Sequence, residues 1–97
     1  MNALSTSVVN VLAGVIADVE RDGSIRALLL RGEGRMFSCG GDIEEMVAAG
    51  DALSTLVDDE LRVAESMIPQ FARLPFPVVC AVQGAVAGGG LGLALAF

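Results

Sequence analysis

The last twenty residues, Val78 to Phe97, constrain this chain more than any other stretch, because they carry no charge, one amide (Gln83) and five glycines. A segment of this length and apolarity is a membrane span, a buried strand that turns into a buried helix, or an exposed liability. Gly88, Gly89 and Gly90 are consecutive. Three glycines in a row cost so much helix propensity that something must need a bare backbone there, such as a ligand or another chain segment approaching closely. The spacing Gly84-x-x-x-Gly88 occurs at helix contacts in lipid. Against a span stand the glycine content, Gln83 inside the segment, and the lack of flanking Lys or Arg close by. Pro75 and Pro77 punctuate the start as they would before a strand. The expectation is a strand over 78–82, a glycine turn, and a helix starting near Leu91, with no membrane contact.

A second apolar-to-glycine turn lies far upstream, at Phe37-Ser38-Cys39-Gly40-Gly41-Asp42. The backbone must turn tightly here, with at least one positive φ, and then start a helix at Ile43-Glu44-Glu45-Met46. Asp42 is a natural N-cap, and Glu45 three residues on completes a capping-box-like pattern. Such a turn ends in free N–H groups at a helix N-terminus. Two turns of this kind can supply two backbone donors to one developing oxyanion, as acyl-transfer and enolate chemistry require. Glycine suits both positions because a side chain would block the reacting group. The same residues also fit plain tight turns between packed elements. Nucleotide binding fits less well, since the glycine spacing matches neither GxGxxG nor the lysine-containing P-loop.

Between and before these turns the pattern alternates. From Ser5 to about Glu20, Val8, Leu12, Val15 and Val19, flanked by Val9, Val11 and Ile16, recur at helical spacing, with Ser5 or Thr6 as N-cap and Arg21-Asp22-Gly23 as the stop. Ile25 to Leu30 is a short apolar run suited to a strand covered on both faces. A longer helix is expected from about Ala52 to Arg73, with Asp58-Asp59-Glu60 as its wet face and a kink or break at Pro69. Leu74-Pro75-Phe76-Pro77 then forces an extended connection. After residue 24, strand, turn and helix alternate, which defines an α/β class.

Ninety-seven residues make one small domain at most. The content of hydrophobic residues is 54% and the mean hydropathy +0.66, above the ~45–50% apolar share usual for soluble domains. A chain like this either lies in a membrane or covers part of its surface with something else. Twelve acids against six scattered arginines give a net charge of −6, which disfavours nucleic acid. There is no Lys and no His, which removes Schiff-base, P-loop-lysine and His-base chemistry from these residues. Cys39 and Cys80 have no CxxC spacing, so two reduced thiols and no metal are expected. No secretory pattern opens the chain, so the expected compartment is the cytoplasm.

The order Asn2-Ala3-Leu4-Ser5, Ile25 to Leu30, Arg35-Met36-Phe37-Ser38-Cys39-Gly40-Gly41-Asp42-Ile43-Glu44-Glu45-Met46, Pro77 to Gly84, then Ala87-Gly88-Gly89-Gly90-Leu91-Gly92-Leu93-Ala94-Leu95-Ala96 closely resembles the enoyl-CoA hydratase/isomerase (crotonase) superfamily. The resemblance covers nearly the whole chain. It implies a spiral of ββα units, of which residues 1–97 would be a partial domain lacking the opening strands and the C-terminal half. It also implies an acyl-CoA thioester as substrate, in fatty acid metabolism, with coenzyme A as part of the substrate and no separate cofactor. Carried over, the resemblance places the two oxyanion-hole N–H groups at Gly41 and Gly89. Gly40, Asp42 and Ile43 would line the CoA path, and Phe37 and Met46 would be apolar walls. A full-length relative would be a homo-oligomer of the trimer type.

One departure bears on the reaction. Hydratases of the family place a glutamate three residues after the middle glycine, and that position here is Gly92. The other hydratase glutamate would lie beyond Phe97. Addition of water to a double bond needs a positioned acid/base, so the resemblance does not extend to hydration by these residues. Isomerase, hydrolase or decarboxylase-type chemistry would draw its acid or base from another loop. Two readings from other classes stand beside this one: a non-catalytic protein that pairs through its apolar surface with a full-length paralogue, and a small membrane-anchored protein.

Overall fold

The computed structural model describes residues 1–96, and its elements follow from local rules. Ser5 is extended and its side chain accepts from the Val8 N–H, which starts helix α1, Thr6–Arg21. The buried stripe of α1 is Val9, Ile16 and Val19, whereas Val8, Val11 and Val15 are exposed. The stripe is thus turned by about one residue from the one the periodicity favours, because a helix this rich in valine has two apolar faces and α3 covers only one.

A two-residue strand, β1 (Ala3–Leu4), precedes α1, and β2 (Leu28–Arg31) follows it. The expected strand from Ile25 starts three residues later, at Leu28. Gly40–Gly41 forms β3, and Asp42 caps α2 (Ile43–Ala49) by accepting from the Glu45 N–H. A single 3-10 turn, Gly50–Ala52, leads into α3, Leu53–Arg73. Pro69 lies inside α3, which continues through it without a break. Pro69 and Glu65 are both on the exposed side. The Glu65 carbonyl that loses its partner to proline can therefore be satisfied by solvent. After the Pro75–Pro77 connection come β4 (Val78–Ala81) and α4 (Gly89–Leu95).

The strands pair in parallel, β1 with β3 and β2 with β4, the second pair in the register Leu28↔Val78 to Arg31↔Ala81. Parallel pairing forces α1 and α3 to act as crossovers, and these two helices pack on each other. Their contact holds the core: Val9, Ile16 and Val19 from α1 meet Met67 and Phe71 from α3, with Leu74 closing the end. Only one face of the β2–β4 pair is served by this core. Leu29 and Val79, neighbours in the register, are 60% and 54% exposed. The expectation of a strand covered on both faces fails for the described residues.

The apolar end of the chain is accordingly divided into a four-residue strand, a turn and a seven-residue helix. Among the described residues no helix is long and apolar enough to cross a membrane.

Ile16 is 1% exposed and Val11 62% exposed. Ile16→Ala should lower unfolding free energy in urea by about 2–5 kcal/mol, and Val11→Ala by no more than about 0.5 kcal/mol. Equal losses would contradict this assignment of the α1 face.

Candidate functional site

The two glycine turns meet through their backbones. Phe37 N–H donates to the Gln83 carbonyl at 2.8 Å, and Ala87 N–H donates to the Ser38 carbonyl at 3.2 Å, with Ser38 and Val86 forming a parallel bridge. Ser38, 3% exposed, sits at the centre. Its hydroxyl donates to the Asn2 carbonyl at 2.8 Å and accepts from the Gly40 N–H at 3.1 Å. Ser38 thereby ties the N-terminal segment to the upstream turn through its hydroxyl and to the downstream turn through its backbone carbonyl.

Three glycines are demanded by this junction, among them Gly84, whose φ is +61° and where a Cβ would collide with the Arg35 carbonyl. Gly40 has φ +91°, and a Cβ there would stand 2.8 Å from the Ala87 carbonyl oxygen. Gly90 is buried, and a Cβ there would stand 2.7 Å from both Cβ and Oγ of Ser38. The bare backbone of the triple glycine is needed first for packing against the other turn. Amide side chains hold the flanking loop. Gln83 Nε2 donates to the carbonyls of Gly32 (2.5 Å) and Gly34 (3.2 Å), while Asn2 Nδ2 donates to those of Glu33 (2.8 Å) and Met36 (3.0 Å). Loop carbonyls without a strand partner are satisfied this way.

With the turns locked together, Gly41 and Gly89 line one cavity of about 200 Å³, whose other walls include Leu4, Met46, Val57 and Leu61. Gly89 is the first residue of α4, and among the described residues no acceptor takes its N–H. This is one of the unsatisfied donors that any helix start leaves. A second apolar cavity, about 260 Å³, continues from the first and shares Leu4, Val9, Leu61, Ala64 and Gly89 with it. On the other side, Gly41, Asp42 and Ile43 line an open groove with Cys39.

The structure therefore brings together Gly41, Met46 and Gly89, with Asp42 and Ile43 in the adjoining groove. Gly40 serves the backbone junction. Phe37 is buried at 4% exposure and lines a different cavity, between Asn2 and Leu30. Asp42 spends Oδ1 on capping α2. Glu45 does not return to Asp42 as a capping box would. Its carboxylate accepts from the Thr6 N–H at 3.0 Å and so caps α1.

Glu60 also differs from expectation. Asp58 and Asp59 are on the wet face of α3, but Glu60 is half-buried and lines the Gly41–Gly89 cavity. Its Oε1 accepts from the Thr6 hydroxyl at 2.9 Å. A run of three acids reads as solvated, and only the rotation of α3 against α1 separates the third from the other two. Ser38 is silent in the sequence, since a buried hydroxyl leaves no periodic signal, and Thr6, the alternative N-cap, is instead the first residue of α1. Partial burial pushes the Cys80 thiol up from its ordinary value. Asp22 is held low by hydrogen bonds from the Ser24 hydroxyl and N–H, at the turn after α1.

Known proteins resemble this chain in sequence and in fold. The chain matches the enoyl-CoA hydratase/isomerase family over residues 1–97. It is 42% identical over 86 residues to 1,2-epoxyphenylacetyl-CoA isomerase of Escherichia coli (strain K12), covering 87% of this chain and 32% of that one. The structure of Pseudomonas aeruginosa AtuE superposes with a TM-score of 0.86 at 39% identity, covering 97% of this chain and 36% of that one. An enoyl-CoA hydratase from Polaromonas sp. JS666 superposes with a TM-score of 0.84 at 29% identity, covering 97% and 37%. The chain belongs to the enoyl-CoA hydratase/isomerase family, and its α/β fold is the crotonase fold over the part it spans. That part is about a third of the length of the relatives it matches.

Gly92 lies in α4, three residues after Gly89, and a Cβ there would meet nothing within 4 Å. Gly92→Ala should stabilise the chain by roughly 0.5–1 kcal/mol through helix propensity. Gly90→Ala should destabilise it by about 1–3 kcal/mol through overpacking against Ser38. Urea midpoints that move in the same direction for both would contradict the packing described.

Proposed function

We propose that this chain binds an acyl-CoA thioester and stabilises the enolate form of its acyl group, with the backbone N–H groups of Gly41 and Gly89 as the two donors to the thioester oxygen. The observation that carries this reading is that both glycines, 48 positions apart by number (89 − 41), line the same small apolar cavity. In such a cavity a donor is worth more than in water, and removing one oxyanion donor typically costs about 3–4 kcal/mol of barrier. The continuous apolar cavity along Leu61, Ala64 and Leu93 suits an acyl chain. The coenzyme A portion is assigned to the open groove at Gly41, Asp42 and Ile43 on the family resemblance alone, since Asp42 and Glu44 give that groove no charge match to phosphate. Family membership supports the substrate class, since the relative in Escherichia coli is named for a coenzyme A thioester.

The position of Gly92 disfavours hydration. It lines the acyl cavity beside Gly89 without offering any acid. Isomerisation or another enolate reaction fits these residues better, because it needs one proton-transferring group and no activated water.

A second reading rests on the uncovered face of the β2–β4 pair, where Leu29 and Val79 stand exposed. Association through that face would give a protein that pairs with a family member or with its own copy. Sedimentation across a wide concentration range would show self-association, and a monomer throughout, alone and mixed with a longer family member, would exclude pairing.

The binding claim is tested by isothermal titration of the chain with butyryl-CoA and with coenzyme A. Butyryl-CoA should bind, and Gly89→Pro should weaken it about tenfold by removing the donor. Proline is tolerated at the first helical position, so the circular dichroism spectrum should be unchanged. Absent binding by the folded chain would contradict the proposal. So would binding that both Gly89→Pro and Gly41→Pro leave intact.

A further inference from the structure

We infer that Glu60 is the proton-transferring residue of this site, the carboxylate that removes a proton from the α-carbon of the bound acyl group. The inference rests on the thioester reading above and names a group that this reading leaves open.

Among the described residues Glu60 is the one ionisable side chain lining the cavity that Gly41 and Gly89 share, whereas Glu65, which is exposed, lines only the adjoining acyl cavity. The remaining walls are apolar, among them Leu4, Val9, Val57, Leu61 and Ala64. A lone half-buried carboxylate facing apolar walls is costly unless its oxygens are engaged. Only one oxygen is. Thr6 Oγ1 donates to Oε1 at 2.9 Å, and among the described residues no donor reaches Oε2.

The support for Glu60 is itself held. Thr6 is the first residue of α1, and its N–H donates to Glu45 Oε2 at 3.0 Å. One residue therefore aligns carboxylates from α2 and α3. Glu45 is consumed in capping a helix, while Glu60 lines the cavity with one oxygen bonded to Thr6. Asp58 and Asp59, on the same turn of α3, are exposed and do not line it.

The step balances without another reactant. Glu60 Oε2 takes the proton from the α-carbon, and the electron pair of the broken C–H bond becomes the second bond between the α-carbon and the thioester carbon. The carbonyl π pair moves onto the thioester oxygen, where the N–H groups of Gly41 and Gly89 stabilise the charge. Glu60 is left as a neutral carboxylic acid. Returning the proton to the same carbon gives exchange, and delivering it further along a conjugated acyl chain gives a shifted double bond.

The test is exchange of the α-protons of butyryl-CoA in deuterated buffer, followed by mass spectrometry, with binding measured in parallel by isothermal titration. The chain should catalyse exchange. Glu60→Gln preserves shape and an acceptor for Thr6, and should slow exchange about 100-fold with binding retained within about threefold. Glu60→Asp should retain measurable exchange, and Asp59→Asn should match the unmodified chain. Binding without exchange, or equal exchange by Glu60→Gln, overturns the role of Glu60 while leaving the thioester reading intact. Absence of binding by the unmodified chain overturns both.

Discussion

The structure depends on the approach of two backbone segments around the Ser38 hydroxyl. Ser38 is buried, and its hydroxyl both donates and accepts, so it costs little to bury. Its neighbours are chosen to let chains come close. Gly40 passes under the Ala87 carbonyl, and Gly90 lies against the Ser38 side chain. Because the approach is between backbones, the relative position of the two turns is set by peptide hydrogen bonds and not by flexible side chains. Gly41 and Gly89 inherit that rigidity, one residue beyond Gly40 and one before Gly90. A site that must hold two N–H groups toward one oxygen needs this kind of support.

The helices complete the site from the other side. α1 and α3 bury Val9, Ile16, Val19, Met67 and Phe71 against each other. The same packing aims Leu61 and Ala64 into the cavities and turns Glu60 toward Thr6. Stability and site geometry are thus coupled through α3, whose outward acids are solvated while its inward surface is apolar with one carboxylate. The Leu29–Val79 pair contributes nothing to this wall. A parallel strand pair is ordinarily covered on both faces, and Leu29 and Val79 stand exposed on the face where this one is not.

Much of this was legible in the residues. Ser5 and Asp42 as caps, the strand at Val78 and the glycine turn before α4 follow from turn chemistry and from the family resemblance. The illegible parts have physical causes. The face of α1 could not be fixed because Val8, Val11 and Val15 make a second apolar stripe, and only tertiary packing chooses between stripes. Pro69 signals a break, yet α3 tolerates it where the orphaned carbonyl faces solvent. Phe37 lines the cavity between Asn2 and Leu30 together with Ser38, from a bend that no periodic pattern describes. Glu45 reads as the capping-box partner of Asp42 and Glu60 as an ordinary surface acid, and both are used by Thr6, a partner 39 and 54 residues away. Pairings that distant are settled by the crossover topology and by no local pattern.

The central claim is that two turns far apart in the chain present their N–H groups to one oxygen. Amide NMR of a chain carrying 15N-glycine reads this directly, on addition of butyryl-CoA and of its thioether analogue, which lacks the carbonyl oxygen. The account predicts that the Gly41 and Gly89 amide protons move downfield together with the thioester and stay in place with the thioether. Movement of only one of them, or equal movement with both compounds, would contradict it.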